Sequence, residues 1–111
     1  MNIKIVFFLV VINTTVFAQS TERHLKNLTM LTHGGDNAEA YFSFDCKFAS
    51  FQSNNSKWGA KCDQIFNLDI AKASKDSLYK PKQISSGEGR TTCSYFLKDN
   101  KHILFASTFK G

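Results

Sequence analysis

YFSFDCKFASFQS, from Tyr41 to Ser53, returns in outline as YFLKDNKHILFAS, from Tyr95 to Ser107. At an offset of 54 residues and without a gap, the two windows share Tyr41/Tyr95, Phe42/Phe96, Asp45/Asp99, Lys47/Lys101, Phe51/Phe105 and Ser53/Ser107. In the first window EAYFSF alternates, with Phe42 and Phe44 expected on one face. An Asp-x-Lys break follows, and FASFQS resumes the alternation. This is the pattern of two short strands joined by a tight turn.

The flanks repeat as well. Leu28, Met30 and Thr32 alternate ahead of the turn-forming cluster Gly34-Gly35-Asp36-Asn37, and Gln83-Ile84-Ser85 leads into a second glycine turn, Ser86-Gly87-Glu88-Gly89-Arg90. Between the windows, Ser53 to Lys61 is a polar loop carrying Trp58, and CDQIFNLDI places Ile65, Phe66, Leu68 and Ile70 in a third strand. A polar connector with the only proline, Pro81, then returns the chain through Gln83-Ile84-Ser85.

A unit of roughly 40–55 residues made of short antiparallel strands is the signature of a β-propeller blade. The alternative is a small β-sandwich with two similar hairpins. The expected fold is all-β: one four-stranded antiparallel blade over 28–85 and the start of a second over 86–111, an incomplete propeller preceded by an N-terminal signal helix (1–18) and a linker (19–27).

The signal segment is read from Lys4, the apolar run Ile5 to Ile12, and Val16 and Ala18 at small-residue positions before Gln19. The apolar run is well short of the roughly 20 residues a spanning helix needs, so no stable membrane span is expected after cleavage. Removing residues 1–18 takes away only Lys4 among charged residues, and the formal charge falls from +5 to +4. The remaining lysines are scattered among acids, which argues for a solvated surface and against nucleic acid as a partner.

Little in the sequence points to catalysis or a cofactor. Ser86 to Arg90 has the spacing of neither a P-loop nor a dinucleotide fingerprint and lies between strands, so it reads as a turn. His33, near Asp36 and Glu39, would face a central channel in a propeller or simply sit on a surface turn. No G-x-S-x-G elbow and no CxxC pair is present. Trp58 is the candidate partner contact, since tryptophan is enriched at binding hot spots, or else it packs over the sheet edge.

The stretch LTHGGDNAEAYFSFDCKFASFQS resembles the repeat of TolB-type propellers, whose blades read Leu-Thr, a turn, a W/F-S-P-D-G-K hairpin and an apolar strand ending in F-x-S. KCDQIFNLD resembles that blade's third strand, and GEGRTTCSYFLKDNKHILFAST the opening of the next, so the likeness covers Leu28 to Thr108. Asp45 and Lys47, with Asp99 and Lys101, are the turn motif. Cys46 and Asn100 stand where the family has glycine; a left-handed backbone costs cysteine about 1–2 kcal/mol and asparagine less.

The resemblance implies a non-enzymatic, exported, periplasmic or secreted protein that binds envelope proteins or ligands, linked to Tol-type envelope maintenance or biopolymer transport, or that self-associates to complete a propeller. The alternatives are the N-terminal piece of a propeller-containing hydrolase and a degenerate fragment. Adjacent blades would bring the strands carrying Cys62 and Cys93 together. A disulfide between them, contributing about 3 kcal/mol, and two separate buried thiols are the two readings.

Overall fold

The computed structural model describes residues 24–110; the expected signal segment, the start of the linker and Gly111 lie outside them. Within the described residues six strands form two antiparallel sheets. The first sheet is a meander in spatial order β1 (Asn37–Phe42), β2 (Phe48–Ser53), β3 (Gln64–Asp69) and β4 (Lys82–Gln83). The second is the hairpin of β5 (Thr91–Phe96) and β6 (Ile103–Ser107), and β5 lies against β1, β2 and β3. The all-β expectation holds in this form.

Among the described residues helix is confined to short connections. A single 3-10 turn, Ser56–Trp58, follows β2, with Asn55 accepting from the Lys57 N–H. One α-helical turn, α1 (Ile70–Ala73), follows β3. Ile70, expected at the end of the third strand, instead starts α1, because the Asp69 carboxylate accepts from the Lys72 N–H and turns the chain into a helical cap.

The repeat is written into the backbone. Both hairpins carry a β-bulge at the same place, between Ala38 and Tyr41 and between Thr92 and Tyr95. Its positive-φ residues are Glu39 (φ 52) and Cys93 (φ 53). Both hairpin turns bend at a left-handed residue, Cys46 (φ 57) and Asn100 (φ 56). Both are closed by the same bonds: Ser43 N–H to Phe48 and Leu97 N–H to His102, then Cys46 N–H to Ser43 and Asn100 N–H to Leu97.

The entry turns match too. At Gly35 (φ 67) an added Cβ would lie 2.7 Å from the Asn55 Cα, and at Gly89 (φ 65) 2.8 Å from the Phe109 nitrogen, so only glycine admits the close backbone crossing. Across each crossing the Asp36 N–H donates to Asn54 Oδ1 and the Arg90 N–H to Thr108 Oγ1.

Two boundaries differ from the sequence pattern. Residues 24–36 form no strand, and Leu28 and Met30 lie exposed. β1 ends at Phe42, not Phe44, because the Asp45 carboxylate accepts from Ser43 Oγ and the Lys47 N–H and draws residues 43–47 into the turn. Phe44 meets Tyr95 edge-on instead.

Period-two alternation gives the first sheet two different faces. One carries Ala49, Phe51, Phe66 and Leu68 and is partly covered by Leu31, Trp58, Ile70 and Tyr79. Burying each large apolar side chain here contributes about 1.5–3 kcal/mol. The other face carries Ser50, Gln52, Ile65 and Asn67 and receives β5, whose Thr91, Ser94 and Phe96 are buried.

Gln64 holds the two sheets in place. Its carboxamide, 1% exposed, accepts from Ser85 Oγ (2.6 Å) and the Gly87 N–H (3.1 Å) and donates to the Gly89 carbonyl (2.8 Å). Ser85 Oγ in turn takes the Ile65 N–H, and the Asp63 carbonyl takes both the N–H and the hydroxyl of Thr91. The entry to β5 is thereby pinned to β3.

Replacing Gln64 with leucine strands these partners in a buried site, and the unfolding free energy should fall by about 3 kcal/mol. Cys46→Asn relieves the left-handed strain and should raise it by about 1 kcal/mol. Urea titrations followed by the fluorescence of Trp58, the single tryptophan, measure both changes.

Candidate binding surface

Two concave surfaces of the described residues are candidates for contact. The first is the free face of the first sheet, where Leu31, Thr32, Asn37 to Ala40, Ala49, Phe51 and Leu68 line an open groove of about 290 Å³. All six residues of β1 are exposed, Phe42 by 64%. The second is a recess of about 250 Å³ lined by His33, Lys57, Trp58, Ser77, Leu78, Tyr79 and Lys80. It combines rings, two ammonium groups and the exposed Leu78, a surface suited to an acidic or aromatic-bearing segment.

Trp58 sits between these roles. Its ring meets Phe66 at 5.3 Å and Phe51 at 6.1 Å, so it packs on the core, while its remaining edge lines the recess. His33 lines the recess as well, and its carbonyl accepts from the buried Asn55 carboxamide. Asp36 and Glu39 do not join it. Asp36 pairs with Asn54, and Glu39 accepts from the Cys93 N–H on the second hairpin. Among the described residues no group of three or more His, Cys, Asp or Glu is placed to hold a metal ion.

The turn-motif residues have structural work. Asp45 binds Ser43 Oγ and the Lys47 N–H, with the Lys47 ammonium 3.7 Å away. Asp99 binds the Lys101 and His102 N–H groups and the His102 ring at Nδ1. Lys101 pairs with no carboxylate among the described residues, unlike Lys47; its backbone is what the motif uses. The Asn100 side chain does something the sequence pattern did not reveal: its Oδ1 accepts from the Asp45 N–H, tying one turn to the other.

All three cysteines are free thiols, so no Cys62–Cys93 bond is formed in this structure. Neither is deeply buried. Cys93 is exposed on the bulge of β5, and half-buried Cys62 donates to the Gly89 carbonyl at 3.0 Å.

The chain finds no match among family models, characterised proteins or solved structures.

Three carboxyls are held below their ordinary range by the hydrogen bonds they accept. For Asp45 the main donor is the Ser43 hydroxyl, for Asp69 the Lys72 N–H, and for Asp99, the most depressed, the His102 side chain followed by the backbone N–H groups of Lys101 and His102. A carboxyl lowered on folding adds stability above its unfolded value and loses it as pH falls through the folded one. The denaturation midpoint should therefore decline below about pH 4, the unfolded carboxyl range. Asp99→Asn should flatten that decline, as urea titrations between neutral pH and the acid limb will test.

Proposed function

We propose that the chain is part of an exported TolB-like β-propeller that acts by binding, not catalysis, recognising a protein or ligand in the cell envelope. The observation that carries this reading is the seating of one repeat on the other. The second hairpin lies on the first sheet with equivalent positions facing each other: Tyr95 against Tyr41 with ring centroids 5.7 Å apart, and Cys93 N–H on the Glu39 carboxylate. A four-stranded meander followed by a hairpin stacked in register is how a propeller passes from blade to blade.

The chemistry of the side chains supports the binding role. The carboxylates with lowered pKa all serve turns or a helix cap, and the recess around Trp58 and Tyr79 offers aromatic and cationic groups to a partner. The short apolar run, Ile5 to Ile12, and the small residues before Gln19 supply the export part of the reading.

A photoreactive amino acid at Leu78, 89% exposed on the rim of the recess, tests it in cells against a control at Lys98 on the hairpin turn. The expected result is a discrete adduct with an envelope component from position 78 alone, on a chain whose N-terminus is Gln19. Equal labelling from both positions, or a cytosolic chain retaining residues 1–18, overturns the reading.

A further inference from the structure

Two faces of the described residues stay open: the groove side of the first sheet and the outer side of the second hairpin, with Tyr95 and Leu104. The first sheet's inner face meets the second hairpin through polar positions: Gln52 Oε1 accepts from Thr92 Oγ1. In the same layer Ser50 Oγ, Asn67 Oδ1 and Ser94 Oγ are buried without a protein partner. One repeat further on, every one of these positions that recurs has changed character. Ser50 and Gln52 become Leu104 and Ala106 on the outer face of the second hairpin. Thr92 and Ser94 correspond to Ala38 and Ala40 beside the groove of the first sheet. Polar has been exchanged for apolar on both sides of the would-be contact at once.

The aromatic residues tell the same story. Phe96 is 2% exposed because the first sheet covers it, whereas its equivalent Phe42 is 64% exposed. Leu104 projects from the outer face at 68% exposure, with Tyr95 beside it at 51%. The internal stack already places Tyr41 on Tyr95, and each ring keeps an open side.

We propose that a second copy of this chain docks head to tail, its β1–β2 groove face receiving the outer face of the β5–β6 hairpin. Leu104 enters the groove between Ala40 and Phe51, and Tyr95 of one copy extends the edge-on tyrosine contact to Tyr41 of the next. The contact continues the interface within the chain by one more step of the same repeat, and so rests on the repeat-stacking part of the proposed function. Being heterologous, it leaves one free face of each kind on every dimer and grows into a ring if the step closes.

The test uses the exported chain, recovered as the cell processes it. Its mass by light scattering should rise with concentration up to about 100 μM, a range that captures weak contacts. Phe42→Asp removes the groove face and Leu104→Asp the knob, and each variant alone should stay monomeric. Mixed in equal amounts they retain one intact pair of faces and should form a dimer that grows no further, which a symmetric contact would not do.

A wild type that stays monomeric, variants that still associate, or a mixture without dimers overturns the proposal. Should either variant lose the circular dichroism of the wild type, a photoreactive residue at 104 in the otherwise unaltered chain decides. Cross-links to residues 37–51 of another, isotopically labelled copy support the proposal, and their absence rejects it. A partner found at Leu78 in cells but no self-association separates failure of this contact from failure of the proposed function.

Discussion

A single buried carboxamide sets the relation between the two sheets. Gln64 opens β3 and, with three hydrogen bonds, fixes the connector residues Ser85, Gly87 and Gly89, so that β5 begins at one height on the first sheet. Everything that crosses between the hairpins follows from that start: the Glu39 bond to Cys93, the Tyr41–Tyr95 contact and the Asn100 bond to Asp45. A side chain with both a donor and an acceptor is needed there, because the connector presents a carbonyl on one side and N–H and O–H groups on the other. The surrounding apolar contacts give stability, but they are non-directional and do not choose a height.

The layer between the sheets is unusually polar for its burial. Ser50, Ser94 and Thr91 are almost completely shielded, and a core of aliphatic side chains in the same place would bury more apolar area. A polar layer favours one alignment, since sliding β5 along the sheet would break the Gln52–Thr92 bond as well as the Gln64 set. The opposite face, with Phe51, Phe66 and Trp58 in mutual contact, carries most of the hydrophobic burial.

Much of this architecture was legible in the sequence. The offset of 54 residues located both hairpins and their turns, and the apolar pattern after Cys62 the third strand, because strand patterning and turn chemistry are local signals. The structure adds positive φ at Glu39 and Cys93, where neither residue type signals a bulge. Three features were hidden for a physical reason. The strand ended at Phe42 because a carboxylate three residues beyond captured the turn, and alternation alone does not register that competition. The part played by Gln64 depends on partners more than twenty residues away. The Trp58 recess is assembled from three separate segments; Trp58 and His33 stood out singly beforehand, but nothing local joined them to each other or to residues 77–80.

The two glycine crossings carry a consequence for how such a chain can vary in length. At Gly35 and Gly89 the entering backbone passes so close to Asn55 and Phe109 that the distance along the chain from entry turn to hairpin end is fixed in both repeats. Length changes inside that stretch would displace the crossing itself. The segments outside it, from the 3-10 turn to β3 and from α1 to β4, are governed by no such closure. Insertions and deletions should therefore collect there, making the hairpin the invariant measure of the repeat and the connectors its elastic part.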